Sequence, residues 1–197
     1  YDYYGFPEST YHIQYSAPGS PAVAQEVSRL LQLAQLPIEF ERERGFDHGA
    51  FVPAAMMYPS ADVPMIQLSI QANYDPALHM ALGHALAPLR DQEILIIGSG
   101  LSYHNLRQMG SDGTVPSAEF DAWLQKILLH NPVEQRAEQL KNWIQAPAAR
   151  QAHPREDHLI PLMVAAGAAE TEAVTCVYHE TTAFGGITAS SFRFGGI

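Results

Sequence analysis

The stretch at residues 93–107 (EILIIGSGLSYHNLR) constrains the fold of this chain more than any other. It opens with four consecutive apolar residues, 94–97, and then breaks at the GSG of residues 98–100. Such an unbroken apolar run predicts a strand that is buried on both faces. Ligands of open α/β sheets bind beyond the carboxyl ends of strands, and glycines there allow a tight turn and close approach of a substrate. His104, which follows, is therefore a candidate functional residue, although a purely structural histidine fits this local pattern equally well.

The rest of the chain alternates between helical and extended patterns. Ser20, Asp75 and Ser117 are predicted N-cap residues. Together with helical spacing and prolines at first helical positions, they predict helices over 9–14, 21–35, 50–58, 76–90, 117–130, 133–144 and 158–169. Strands are predicted over 38–41, 65–70, 93–97, 171–178 and 187–194, with loops at 110–116 and 146–157. Strands that alternate with helices predict an α/β fold, here a three-layer αβα domain with a central sheet that is mostly parallel or mixed.

Composition narrows the class of protein. The chain has 197 residues, enough for one sizeable core, and a formal net charge of −10, which argues against nucleic acid or an anionic membrane surface as a partner. Cys176 is the only cysteine, so no intrachain disulfide can form, which fits a reducing, cytoplasmic location. No apolar run approaches the roughly 20 residues of a membrane span, and no signal peptide is recognisable. A homo-oligomer remains open.

Nine histidines are more than usual for this length, and three of them stand in loop-like surroundings. These are His48 in GFDHG, His104 in SYHN and His158 in HPREDH. Imidazole binds borderline metals and moves protons near neutral pH, so these three are the candidates for chemistry. Five-residue spacing on one predicted helix makes His79 and His84 structural or solvated. The remaining four lack a clear chemical setting, although one of them opens the HPREDH stretch: His12, His130, His153 and His179.

The surroundings of His158 suit a rigid metal ligand, because the residue begins an apolar helix. Glu156 and Asp157 could orient such a ligand. A helix-terminal histidine with its polar end in water is the competing interpretation. Aromatic residues crowd the N-terminal loop, where they could stack on an aromatic ligand or simply fill a core: Tyr1, Tyr3, Tyr4, Phe6, Tyr11 and Tyr15.

Several catalytic motifs are absent from the sequence. There is no GxSxG nucleophile elbow, no GxxxxGK[ST] phosphate loop, no HExxH and no CxxC. A GxGxxG begins at Gly98 but fails because residue 103 is tyrosine. Serine hydrolases of the α/β type, P-loop nucleotide enzymes and common dinucleotide folds are thereby disfavoured.

Five blocks in order resemble the DOPA-dioxygenase type of extradiol aromatic-ring-opening dioxygenases, in the superfamily of the protocatechuate 4,5-dioxygenase catalytic subunit. The blocks lie at residues 5–21, 45–49 (GFDHG), 57–70, 86–107 and 153–169 (HPREDHLIPLMVAAGAA), and they span nearly the whole chain. The resemblance implies an oxidoreductase that opens a catecholic, DOPA-like or related ring with O₂ at a non-haem Fe(II) site, where zinc is an alternative metal.

The resemblance also implies roles for individual residues. His158 matches a metal ligand, and His104 matches the acid/base histidine beside the metal, which it could also contact. His48 matches a catalytic histidine that contacts substrate or bound oxygen. Tyr103 and Asn105 would bind substrate or orient His104. These roles are chemically sensible, because a catechol must lose protons to chelate a metal through both oxygens.

One departure from the family pattern bears on the metal site. Members normally begin with two further strands, each followed by a metal-ligating histidine, and neither occurs here. We therefore expect residues 1–197 to form a single extradiol dioxygenase-like domain that lacks its N-terminal strands. The segments could be missing from the sequence, lie on another chain, or be lost in a relative without the iron site. The last case would make the protein a non-catalytic binding or scaffold member. A zinc-dependent hydrolase is a weaker alternative, since no carboxylate is clearly placed as its general base.

Overall fold

The computed structural model describes residues 2–196 of the chain. They belong to two compact units, Tyr1–Ser69 and Ile70–Ile197. Tyr1, one of the aromatic residues counted in the N-terminal loop, lies outside the described residues, as does Ile197. Among residues 2–196, no helix is both long and apolar enough to cross a bilayer.

The first unit contains a 3₁₀ turn and two helices. The turn spans Glu8–His12, α1 spans Pro21–Leu33 and α2 spans His48–Met57. The Ser20 side chain accepts a hydrogen bond from the Val23 N–H, and Pro21 occupies the first turn, so the predicted start of α1 is confirmed. Strand pairing is not observed at residues 38–41 or 65–69 in this described unit, where both strands were predicted.

The aromatic loop of the first unit packs largely on itself. The Tyr3 ring stacks on Tyr11 with centroids 5.3 Å apart and meets Phe6 edge-on at 5.6 Å. The Tyr15 hydroxyl donates to the Tyr58 carbonyl oxygen at 2.9 Å. These contacts favour packing over ligand stacking for most of the cluster, whereas Tyr4 is exposed.

The second unit is built mainly from helices. They are α3 Pro76–Leu86, α4 Thr114–Gln125, α5 Val133–Lys141, α6 Ala149–Ala152 and α7 Ile160–Ala168. Short turns lie at Ala87–Gln92, Gly110–Gly113 and Trp143–Gln145, and a π-helical turn, Lys126–His130, extends α4. The predicted helices are confirmed as elements, but α4 begins before residue 117, and α6 lies within residues 146–157, which were predicted as a loop. Ser117 is therefore no N-cap, and its hydroxyl donates to the Thr114 carbonyl oxygen instead.

The sheet is the main correction to the predicted architecture. The described residues contain one two-stranded antiparallel sheet, in which β1 Val174–Ala183 pairs with β2 Ile187–Phe194. Residues 93–97 lie in no strand ladder, and Leu95 is 67% exposed, so the prediction of a doubly buried strand is wrong for this structure. A strand exists only when its backbone pairs with another in a ladder, and residues 93–97 form no such ladder in the described chain. The fold is a helix-rich α/β arrangement, and the three-layer form stays a prediction.

One apolar core joins the helices of the second unit to β2. Its fully buried members include Phe120, Leu124, Ile127, Leu128, Leu140, Ile160, Met163 and Ile187. The first histidine of α3 has a structural role, as predicted. His79 is buried, and its Nδ1 lies 2.6 Å from the Asp75 carbonyl oxygen while its Nε2 accepts from the Gln71 N–H at 3.0 Å. Both nitrogens are satisfied by the protein, so this histidine is structural. His84 is exposed beside Glu170, also as predicted.

Candidate metal and catalytic site

Two segments of the second unit meet to form the candidate site. One is the loop at residues 98–105, and the other is the segment at residues 151–158 that leads into α7. The Leu101 N–H donates to the His158 carbonyl oxygen at 3.0 Å, and the His104 N–H donates to the Ala152 carbonyl oxygen at 3.0 Å. These main-chain bonds bring the SYHN and HPREDH stretches together, as their predicted common function requires.

The glycines at residues 98–100 allow a close approach of backbone rather than of substrate. A Cβ on Gly100 would collide with the His158 carbonyl oxygen, and a Cβ on Gly98 would collide with that of Pro161. The expectation that this GSG makes room for a substrate is therefore wrong for the side of the loop that faces α7. What glycine permits here is tight packing of the histidine-bearing loop against the helix start.

His104 and His158 lie face to face at the centre of the site. Their ring centroids are 3.4 Å apart and the planes are inclined by 15°. Asp157 is beside them, with its Oδ1 3.2 Å from the His158 Nδ1. The ligand atoms of these three side chains all lie within 4.8 Å of one another, so they could hold one metal ion. The His158 Nδ1 is buried and has no well-formed hydrogen bond in the described chain. A buried polar atom usually has a partner, and a bound metal ion would supply one here.

The electrostatics of the site favour a neutral His104 imidazole and an ionised Asp157 carboxylate. Burial, and then the proximity of His158, lower the pKa of His104 below its ordinary value. Burial alone would raise the pKa of the Asp157 carboxyl, but the hydrogen-bonding and charge interactions with His158, helped by Arg155, hold that pKa below its usual range. A neutral imidazole has a lone pair for a metal or for a proton, and an ionised carboxylate balances metal charge.

Tyr103 and Asn105, predicted to bind substrate or to orient His104, are both buried and bonded within the protein. The Tyr103 hydroxyl donates to the Gln108 carbonyl oxygen at 2.8 Å. The Asn105 Nδ2 donates to the Gln151 carbonyl oxygen at 2.8 Å and to the Gln108 Oε1 at 3.0 Å. These contacts support the orienting role, because they fix the loop on both sides of His104.

His48, the third predicted histidine, lies at the start of α2 in the first unit. Its Nδ1 is 2.7 Å from the Asp2 Oδ2, and its backbone N–H donates to the Asp2 Oδ1 at 2.9 Å. Burial acts to raise the pKa of Asp2, but the hydrogen bonds from His48 outweigh it and hold that pKa below its usual value. An ionised Asp2 accepts the hydrogen on Nδ1, and in that tautomer Nε2 carries the lone pair. Its predicted catalytic role stays a prediction.

Sequence reasoning missed two features of the site. Asp157 was considered only as an orienting neighbour, yet its carboxylate lies within 4.8 Å of a ring nitrogen of each histidine. His153 was set aside as lacking a chemical setting, yet it is fully buried directly behind the loop, with its Nε2 3.1 Å from the Ser102 carbonyl oxygen. The available signal for His153 was its place at the start of HPREDH.

Comparison with known proteins identifies relatives of this chain. Residues 1–195 match the family described as the catalytic LigB subunit of aromatic ring-opening dioxygenase. The chain is 41% identical over 198 residues to a 4,5-DOPA dioxygenase extradiol of Beta vulgaris, with 98% of this chain and 73% of that protein covered. It is 35% identical over 201 residues to the protein of the same name from Escherichia coli K12, covering 99% and 73%. A crystal structure of an uncharacterized Escherichia coli K12 protein superposes with a TM-score of 0.80 at 33% identity, covering 94% of this chain and 77% of the other.

The chain therefore belongs to the LigB family of aromatic ring-opening dioxygenases. Within that family its class is extradiol dioxygenase, an oxidoreductase, which confirms the resemblance seen in the five sequence blocks. An aromatic substrate and O₂ are the reactants that this class implies. The class is metal dependent, and two imidazoles with a carboxylate form a donor set that suits such a metal.

Proposed function

We propose that the protein opens the ring of a catecholic substrate, DOPA-like or related, with O₂ at a non-haem Fe(II) site. The observation that carries the proposal is the cluster of His104, Asp157 and His158, whose ligand atoms lie within 4.8 Å of one another. The substrate class is supported by the curated relatives whose names specify DOPA.

The donor set fits the proposed metal. Histidine and carboxylate are both typical ligands of non-haem Fe(II), and zinc accepts both. His158 and Asp157 supply one of each, and His104 would complete a set of two histidines and one carboxylate only in the alternative in which it contacts the metal. His158 would hold the ion, since its buried Nδ1 has no well-formed hydrogen bond in the described chain, and Asp157 would coordinate or orient beside it. When bound, the metal would polarise the diol and hold it next to O₂.

His104 is the proposed proton carrier. A catechol must lose a proton from oxygen before both oxygens can chelate, and the acceptor must be neutral at the working pH. Burial lowers the pKa of His104, which keeps its imidazole neutral. Its ring lies 3.4 Å from that of His158, so the proton acceptor is held against the residue that binds the metal. The same group would return the proton as the ring opens. Contact of His104 with the metal itself is an alternative within the same geometry.

His48 is the proposed substrate contact. With Nδ1 engaged by Asp2 at 2.7 Å, its Nε2 would accept a hydrogen bond from a substrate hydroxyl. Tyr103 and Asn105 are proposed to act indirectly, by holding the loop that carries His104.

The test uses the intact gene product, loaded with Fe(II) under O₂ and offered DOPA, caffeate and simple catechol. We expect a coloured ring-opened semialdehyde, with O₂ consumed in proportion. If none of the catechols is converted, although metal analysis shows that iron is bound, the proposal is contradicted. Catechol binding without O₂ consumption would instead identify a non-catalytic binding member of the family.

A further inference from the structure

His153 occupies an apolar pocket with a single polar contact. The residue is 0% exposed, and its ring meets Phe120 at 5.1 Å and Trp143 at 6.0 Å between centroids, both edge-on. Its Nε2 lies 3.1 Å from the Ser102 carbonyl oxygen. Its Nδ1 is buried and has no hydrogen-bond partner in the described part of the chain.

These surroundings determine which nitrogen carries the hydrogen. A carbonyl oxygen only accepts, so the hydrogen must be on Nε2, and Nδ1 is left as a lone pair. Protonating Nδ1 would create a buried charged N–H with no acceptor, which is costly. In keeping with this, burial lowers the pKa of the His153 imidazole to about 4. At neutral pH His153 is therefore a neutral group with one donor, and that donor is used on Ser102.

The hydrogen bond from His153 is one of three that join residues 151–153 to the loop around His104. Main-chain oxygens of Gln151 and Ala152 accept hydrogen bonds from the Asn105 side chain and the His104 N–H. His153, the next residue, donates in the opposite direction to Ser102. Three successive residues thus hold the loop two positions before His104, at His104 itself and one position after it. Of the groups that residues 151–153 contribute, only the imidazole of His153 can be removed by substitution.

We propose that His153 is a positioning residue for the ring-opening reaction. Its Nε2–H fixes the Ser102 carbonyl and thereby sets the position of the His104 imidazole against His158. The inference rests on the proposed function for its kinetic consequence, whereas the positional claim concerns this chain alone. The competing account is that His153 only fills the space beside Phe120 and Trp143.

Two substitutions separate the donor from the ring. His153→Gln retains an N–H donor near the place of Nε2 and loses the ring, while His153→Phe retains a ring and loses the donor. Positioning requires the Gln variant to function better than the Phe variant. Space filling requires the reverse order, since the pocket is lined by aromatic rings. The same two substitutions at His130, an exposed residue, serve as controls.

The kinetic arm measures kcat and KM of the iron-loaded, intact gene product with a catechol. For His153→Phe we expect kcat to fall about 10- to 100-fold, with KM changed less than about threefold, because small displacements of a catalytic group cost about this much. His153→Gln should retain kcat within about tenfold of the unchanged protein. An unchanged kcat in His153→Phe would overturn the proposal.

The second arm needs no turnover and is read by ¹⁵N NMR of the histidine rings in the metal-free protein. The His104 ring nitrogens should shift in His153→Phe and stay in place in His153→Gln. If no form of the protein opens a catechol, the proposed function fails, but this arm still decides the role of His153. If neither variant folds, the unchanged protein decides: the proposal requires hydrogen on Nε2 of His153, and a spectrum with hydrogen on Nδ1 would overturn it.

Discussion

Two stretches of the second unit, residues 93–97 and 101–105, lie on either side of the GSG at residues 98–100. The more apolar stretch is the more exposed of the two. Residues 93–97 are strongly apolar, yet Leu95 is 67% and Ile97 is 50% exposed. Residues 101–105 are more polar, yet Tyr103 is 0% and Asn105 is 6% exposed. The second stretch has partners for its backbone in residues 151–158, and the first lies in no ladder within the described chain. Burial here follows available hydrogen-bond partners rather than side-chain hydropathy.

The largest effect on turnover should come from residues 101–105, the stretch whose backbone is hydrogen-bonded to residues 151–158. His104→Ala removes the proposed proton acceptor, and turnover should fall about 10²- to 10⁴-fold, the usual contribution of a general base. Iron binding, measured by calorimetry, should be largely retained, because His158 and Asp157 remain. Leu95→Ala on the other side is the control and should turn over normally. Loss of iron from His104→Ala would show that His104 is a ligand and that its assigned role is wrong.

Acid should destabilise the protein through the residue behind the same loop. An unfolded histidine titrates near pH 6.5, whereas His153 in the fold has a pKa of about 4. Between these values the unfolded state binds the additional proton. The contribution of neutral His153 to the free energy of unfolding is therefore complete above about pH 6.5. It is lost as the pH falls toward 4, and the total loss is roughly 3 kcal/mol.

Urea unfolding at pH 7 and pH 4.5 measures this dependence. His153→Gln lacks the titrating group, so its free energy of unfolding should fall less between the two pH values. Parallel losses in both proteins would show that His153 is protonated without difficulty and that its pocket is not closed.

A methyl group at the junction should show how tightly the loop is packed. Gly100→Ala places a Cβ against the His158 carbonyl oxygen, so the free energy of unfolding should fall by about 1–3 kcal/mol, as in other overpacked sites. Gly45→Ala is the matched control, since a Cβ there meets no atom within 4 Å. Equal thermal stability of the two variants would mean that the loop moves away from α7 at little cost.

The smallest effect on stability should come from the exposed residues of the stretch 93–97. Leu95→Thr and Ile97→Thr should each change the free energy of unfolding by less than about 0.5 kcal/mol, as exposed substitutions usually do. Chemical denaturation of each variant gives the value. A loss above roughly 1.5 kcal/mol would mean that this face is covered in the intact protein, as the predicted central sheet would require.

Much of the helical structure could be predicted because its signals are local. Ser20 with Pro21, and Asp75 with Pro76, lie at the starts of α1 and α3 as predicted. The β2 strand also matches its predicted range, 187–194. The apolar stretch at 93–97 could not be judged from itself alone, because a strand exists only when a distant backbone pairs with it.

The sequence by itself determined the starts of α1 and α3, the family and the two histidines of the candidate metal site, because caps, spacing and motif residues are carried by neighbouring positions. Tertiary structure decided the stacking of His104 on His158, the inclusion of Asp157, and the burial of His153 between Phe120 and Trp143. The stacking and the contact of His153 with Phe120 join residues far apart in the sequence. A histidine's neighbours in space determine its charge and hydrogen, and these neighbours are set by packing.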